Sequence, residues 1–310
     1  IREFISYTQN YWAEKPKYVL LVGDADIIPS CTVVSSIEDE GSIPIDEWYT
    51  IDQFEEDSFP DLAIGRWPVQ NESELENIIQ KAIAFEQGQG LNRSLKNLLF
   101  LNDEEMNPAT KTVFEDLSST FISTLVPSYM CTDRIDIRGN SPFHDSKQSL
   151  IDKINDGIGH LIYYGHGAST SWSRQNYLTT DDLALLTENN QPFLVATMGC
   201  SQNFALPDEQ SLVEELLLFP SGGAVATIAS TGFNGYIAGD RFISNIFSQL
   251  FQHPEKTLGE IILDVKRATY TDHTKPDDMT RRFTLLGDPC LKIPLSVSYT
   301  HLTLPTKVSG

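Results

Sequence analysis

The sequence predicts an α/β protein built on a mostly parallel β-sheet with helices on both faces. Three observations predict it. Short apolar runs of β-forming residues recur along the chain, and several end at glycine. Between them lie segments whose apolar residues fall on one helical face. The two kinds alternate at spacings that suit strand–helix–strand crossovers rather than hairpins. The 310 residues suffice for about two units at roughly 150 residues each. With 40% hydrophobic residues they also suffice for a sizeable core.

Lys17 to Gly23 (KYVLLVG) reads as a buried strand, and Asp61 to Gly65 (DLAIG) repeats its form. Asn71 followed three residues later by Glu74 is a helix N-cap signature. Beyond it Leu75, Ile78, Ile79, Ala82 and Ile83 share one face. Gly88 and Gly90 close that helix, so an N-terminal unit is expected over residues 1–90 and a second unit over 91–295. In the second unit the pattern predicts strands at Asn97–Leu101, Tyr129–Ile135, His160–Tyr164, Phe193–Met198 and Ala224–Ala229. Helices are predicted at Thr110–Thr124, Ser146–Asn155, Thr180–Thr187 and Glu209–Leu218, then near Phe242–Phe251 and Leu258–Tyr270. Residues 296–310 contain no acid in an otherwise acidic chain, and they read as a non-native tail outside the fold.

The 22 basic and 43 acidic side chains give a formal charge of −21. A phosphate backbone would be repelled by such a surface, which argues against nucleic acid as a partner. No apolar run reaches the roughly 18 to 20 residues of a membrane-spanning helix. The opening at Ile1, without a start Met or a leader, is the expected look of a piece of a larger precursor.

The acidity is concentrated early, where residues 1–90 hold 18 acids and 5 bases. Between Glu38 and Asp61 stand ten acids and no Lys or Arg, with Gly41, Pro44 and Pro60 among them. A long solvated surface excursion is the expectation there. Oxygen ligands for a hard cation such as Ca²⁺ are the alternative, with Asp46, Asp52 and Asp57 as donors, although the spacing of an EF-hand is missing. The four cysteines, Cys31, Cys131, Cys200 and Cys290, form no CxxC pair. His144, His160, His253 and His273 lack ligand spacing to a second His or Cys, which argues against zinc.

In an open parallel sheet, reacting groups collect beyond the carboxyl ends of the strands. Two ends stand out. His160 to Ala168 (HLIYYGHGA) carries His166 between two glycines, and Phe193 to Asn203 (FLVATMGCSQN) carries Cys200. Imidazole can take a thiol proton, and the resulting thiolate is a strong nucleophile toward a carbonyl. The 34 residues between them make one strand–helix–strand step, which sets the two turns side by side if the strands are neighbours. A buried structural thiol and a strand-end histidine are the plain alternative. Ser201 is a weaker nucleophile beside a stronger one. No cofactor is required for this chemistry, and no GxSxG, GxGxxG or phosphate loop is present.

Six blocks then occur in order: YVLLVGDADIIP from Tyr18, DLAIGRWPV from Asp61, YYGHGASTSW from Tyr163, ATMGCSQNF from Ala196, GGAVATIASTG from Gly222 and FTLLGDPCLKI from Phe283. Together they resemble the gingipain-like cysteine peptidases, the C25 family of the caspase–haemoglobinase fold. The resemblance implies a caspase-like three-layer fold and cleavage of protein or peptide substrates. It implies Cys200 as nucleophile, His166 as general acid and base, and the backbone N–H groups of Gly167 and Cys200 as oxyanion donors. An acid supporting the histidine follows an earlier strand in the family, and here LFLNDEE offers Asp103 or Glu104. Such an acid would favour a thiolate–imidazolium pair.

Tyr236 takes the place of an aromatic wall of the family's primary specificity pocket. The carboxylate at that pocket's floor has no equivalent around Met106 to Lys111. The resemblance further implies a secreted or cell-surface protein. Two outcomes of the same acyl chemistry, hydrolysis and sortase-like transpeptidation, differ only in the acceptor. A non-catalytic binding or scaffold module on the same fold is the reading from a different class.

Overall fold

The computed structural model of the chain describes residues 1–51, 60–88, 94–137, 146–187, 191–202, 204–206, 209–220, 222–269 and 281–295. Within them the apolar runs become strands. These are β1 (Tyr18–Val22), β2 (Cys31–Val34), β3 (Ser42–Ile45), β4 (Ala63–Trp67), β5 (Asn97–Asn102), β6 (Cys131–Asp136) and β7 (His160–Tyr164). The short β8 (Gly167–Ala168), β9 (Ser171–Trp172) and β10 (Leu178–Thr179) follow, then β11 (Phe193–Thr197), β12 (Ala224–Ser230) and β13 (Phe283–Leu286). The helices are α1 (Arg2–Tyr11), α2 (Glu72–Glu86), α3 (Val113–Leu125), α4 (Ser146–Asp156), α5 (Leu212–Leu218), α6 (Tyr236–Gln252) and α7 (Leu258–Thr269).

One eight-stranded sheet has the order β1-β4-β13-β12-β11-β7-β5-β6. Its neighbours pair in parallel except β13, which runs antiparallel to β12. Side chains alternate across the sheet with the strand period of two. Leu98 and Phe100, Ile162 and Tyr164, and Leu194 and Ala196 enter one core with α3, α6 and α7. Leu99 and Leu101, Leu161 and Tyr163, and Phe193 and Val195 enter the other with α2, α4 and α5. This is the predicted three-layer α/β arrangement. Gly90 lies outside the described residues. β4 meets the rest of the sheet by one register pair, Arg66 with Leu286 of β13.

Several elements depart from expectation for identifiable reasons. Residues Thr180–Leu185 form a 3₁₀ segment instead of an α-helix, entered through a capping box of Thr179 and Asp182. Helix α5 starts at Leu212 because Ser211 and Glu214 close a capping box there. Asn71 does cap α2, its side chain accepting from the Glu74 N–H at 3.0 Å.

The acidic run is the largest difference. Its described part is a solvated excursion only in places: Glu38, Asp39 and Asp61 are exposed, but Asp46 and Glu47 are buried, and β3 pairs antiparallel with β2. Asp46 accepts from Arg66 Nε and Nη2, each at 2.6 Å, with Arg66 wholly buried. Glu47 pairs with the buried Lys266, and Glu40 with the buried Arg282. The residues 52–59, Asp52 and Asp57 among them, lie outside the described residues, as do 296–310.

His160, the first residue of β7, is fully buried, and neither ring nitrogen has a hydrogen-bond partner among the described residues. Burial pushes its pKa down from 6.5 to about 4. The unfolded chain therefore takes up a proton as pH falls through about 6.5, while the folded chain does so only near 4. Stability is lost across that window as pH falls, by about 3 kcal/mol at most. Urea unfolding at pH 7.5 and pH 5 will show a loss that shrinks in His160→Leu; an undiminished loss in the variant would contradict this assignment.

Candidate functional site

Parallel pairing of β7 with β11 sets Tyr163 opposite Thr197, so both strands end at the same edge of the sheet. The turn after β7 carries His166, and the turn after β11 carries Cys200. The two turns touch. A Cβ at Gly167 would lie 2.8 Å from the Cys200 carbonyl oxygen and 3.2 Å from its amide nitrogen, contacts too close for a side chain. Glycine is needed there for the two peptides to approach. Ser169 Oγ donates to the Ser201 carbonyl at 3.0 Å, and the Gln202 amide donates to the Ala168 carbonyl, stitching the second turn to the first.

The histidine turn is held from within. The His166 carbonyl accepts from the Ser173 N–H at 2.7 Å and from the Tyr163 hydroxyl at 2.5 Å, while Ser173 N–H also donates to that hydroxyl at 2.8 Å. Tyr163 stacks on Trp172 with ring centroids 4.6 Å apart. Gly165 packs where a Cβ would collide with Asp103 and the Tyr163 hydroxyl. The imidazole meets the edge or face of Phe114 from α3 at 5.5 Å, nearly perpendicular.

The carboxylate at the ring is that of Glu105, whose Oε2 lies 3.1 Å from His166 Nε2. The sequence offered its two predecessors. Asp103 instead accepts from the His166 backbone N–H at 3.2 Å and is buried, and Glu104 turns to Lys111 at 2.6 Å. A run of three successive acids presents each in a different direction as the chain leaves β5, and the sequence alone gives no register for choosing among them. Burial raises the pKa of Asp103 against the backbone bonds that lower it. For Glu105 burial also acts to raise the pKa, but His166 and the N–H groups of Met106 and Asn107 bring it below its ordinary value.

The Cys200 thiol lies between the N–H and C=O of Asn234, with Sγ 3.3 Å from the nitrogen and 3.6 Å from the oxygen. Burial pushes the thiol pKa up, Glu40 adds to the rise, and the Asn234 N–H, Arg174 and Arg282 oppose it. The net direction is upward from the ordinary thiol value. Ser201 adopts φ +55° and donates its N–H to the Gly232 carbonyl at 2.9 Å, so it serves the turn. Tyr236 opens α6 two residues beyond Asn234 and is exposed, as are Phe233 and Ile237. All four cysteines are free.

Among the described residues no three His, Cys, Asp or Glu side chains converge as metal ligands. Of the three carboxylates considered for Ca²⁺, Asp46 gives both oxygens to Arg66, and Asp52 and Asp57 lie outside the described residues. No helix among the described residues is long and apolar enough to cross a membrane.

Fold and site together define a three-layer α/β protein that sets a cysteine and an acid-backed histidine on touching strand-end turns. The chain belongs to peptidase family C25, whose model matches residues 1–294. It is 25% identical over 327 aligned positions to gingipain R2 of Porphyromonas gingivalis, covering 100% of this chain and 42% of that protein. An uncharacterized protein of Archaeoglobus fulgidus is 25% identical over 255 positions, covering 70% of this chain and 57% of that one. Among solved structures, the Arg-specific cysteine proteinase gingipain R superposes with a TM-score of 0.74 at 23% identity, over 94% of this chain and 67% of that one. At that identity the likeness establishes the shared fold. The chain thus spans less than half the length of the curated gingipain it matches.

Because the thiol pKa is raised, alkylation of Cys200 by iodoacetamide will be slow at pH 7 and will climb through a midpoint above the ordinary thiol value of 9.0. Peptide mapping by mass spectrometry reads each cysteine separately. A midpoint below 7 at Cys200 would contradict the upward shift that burial gives the thiol.

Proposed function

We propose that this chain is the catalytic part of a cysteine endopeptidase that cleaves protein or peptide substrates through a thioester. The observation that carries the reading is the Glu105–His166 contact at 3.1 Å on a turn packed against the Cys200 turn. A structural histidine at a strand end has no need of a carboxylate on its ring and a second chemistry-bearing turn against its backbone.

With Nε2–H directed to Glu105, the other ring nitrogen, Nδ1, is left to act on the thiol. It takes the Cys200 proton as Sγ bonds to the scissile carbonyl carbon. The developing oxyanion is held by the N–H groups of Gly167 and Cys200. As the C–N bond breaks, the imidazolium returns the proton to the leaving amine. Water then attacks the thioester, His166 takes its proton, and the C–S bond breaks to restore the thiol. An incoming amine in place of water would give transpeptidation by the same steps.

Glu105 stabilises the imidazolium formed after proton transfer. Asp103 fixes the peptide of His166 rather than its ring. Tyr236 would wall the pocket for the residue before the scissile bond, with Gly167 letting the substrate backbone approach. Membership of the gingipain family supports a secreted or cell-surface setting and a larger precursor.

Turnover of a mixed peptide library under reducing conditions tests the reading. Cys200→Ala and His166→Ala are expected to abolish cleavage, and Glu105→Gln to lower kcat by about 10²-fold with little change in KM. Cleavage that survives Cys200→Ala would overturn the assignment. Products joined to an added amine would favour transpeptidation over hydrolysis.

A further inference from the structure

The thiol of Cys200 has a seat that its own turn does not supply. Its backbone partners are the N–H and C=O of Asn234, on the segment between β12 and α6. That segment is gripped by two charged side chains from distant parts of the chain. Glu40, in the loop that joins β2 to β3, accepts from the Phe233 N–H through Oε1 and from Arg282 through Oε2. Arg282, which immediately precedes β13, donates to the Phe233 carbonyl at 3.1 Å and to Ser35 Oγ at 2.8 Å, and its own carbonyl accepts from the Thr231 N–H at 2.8 Å. Ser35 Oγ also donates to Glu40. Both peptide groups that flank Phe233 are therefore fixed from outside, and the second of them carries the Asn234 N–H that donates to the sulfur.

The side chains that do this are buried: Arg282 has 0% and Glu40 6% side-chain exposure. Gly232 lets them in, since a Cβ there would stand 2.4 Å from Glu40 Oε1 and 2.9 Å from Arg282 Nη1. We propose that Glu40 is a positioning residue for the nucleophile: paired with Arg282, it clamps the 231–234 segment so that the Asn234 peptide holds the Cys200 thiol in place.

The proposal rests on Cys200 being the nucleophile, but its physical content is the seat of the thiol. A seat set by a buried ion pair is stiff, because loosening it leaves charge without a partner in a medium of low polarity. Displacing a nucleophile by about 1 Å can reduce turnover by about 10²-fold. The charged groups that bear on the sulfur are Glu40, which raises its pKa, and Arg174 and Arg282, which lower it. Loss of the Glu40 charge accordingly leaves the two cations unopposed there.

The test uses the full chain with Glu40→Gln, Glu40→Asp and Ser35→Ala, each checked for folding by its thermal midpoint. Iodoacetamide labelling of Cys200 against pH is followed by mass spectrometry, with Cys131 and Cys290 as internal references, and peptide turnover is measured alongside. In Glu40→Gln the Cys200 labelling midpoint is expected to move down while the reference cysteines stay, and kcat to fall about tenfold or more with KM within about twofold. Glu40→Asp, which keeps the charge, is expected to recover the midpoint and part of kcat. If Glu40→Gln does not fold, Ser35→Ala removes only the bridging hydroxyl and is expected to lower kcat in the same way to a smaller degree.

A folded Glu40→Gln, or failing that Ser35→Ala, with wild-type kcat and an unmoved Cys200 midpoint would overturn the proposal. A lowered thermal midpoint with normal kcat per folded molecule would overturn it equally, leaving Glu40 a purely structural residue. The labelling arm does not depend on peptidase activity. Failure of the peptidase reading would appear separately, as turnover that persists in Cys200→Ala.

Discussion

The contact between the turns that follow β7 and β11 is the constraint on which the rest of this molecule depends. Two neighbouring parallel strands end at one edge of the sheet, and the residue after His166 must be glycine for its peptide to lie on that of Cys200. The histidine side of this contact is fixed by Tyr163, Ser173 and Asp103, the cysteine side by Gly232, Ser230 and Asn234. Two cores, one on each face of the sheet, immobilise the strands behind them. The chemistry proposed for Cys200 and His166 thus sits on loops, but the loops have little freedom of their own.

The acidic N-terminal third takes part in this arrangement through buried charge. Glu40, Asp46 and Glu47 pair with Arg282, Arg66 and Lys266, each cation coming from or lying beside the large sheet and the helices packed on it. Buried pairs contribute modestly to net stability, because desolvation offsets much of their attraction. They are demanding about register, however, since a displaced partner leaves a bare charge inside. In this chain they dictate where the β2–β3 hairpin and the segment after it must lie. A surface run of acids would have left both free.

Much of this was legible in the sequence. The glycine-ended apolar runs at Tyr18–Val22, His160–Tyr164 and Phe193–Thr197 announced parallel strands, and Asn71 with Glu74 announced the start of α2. His166 and Cys200 were legible as a pair because both follow such runs one crossover apart. Glu105 was not, because direction along three consecutive acids is decided by the tertiary path of the loop after β5. The antiparallel β13 and the burial of Glu40, Asp46 and Glu47 were hidden for a related reason. Their partners lie 20 to 242 residues away, and no local pattern encodes such a pairing.

The central claim is that one thiol, one imidazole and two backbone amides meet at a single substrate carbonyl. The most direct measurement is a crystal structure of the chain after reaction with a peptidyl electrophile that mimics the acyl intermediate. The account predicts a covalent bond from Cys200 Sγ, with the ligand's carbonyl oxygen within hydrogen-bonding distance of the Gly167 and Cys200 nitrogens and His166 still bonded to Glu105. An adduct on another cysteine, or an oxygen turned away from both amides, would contradict it.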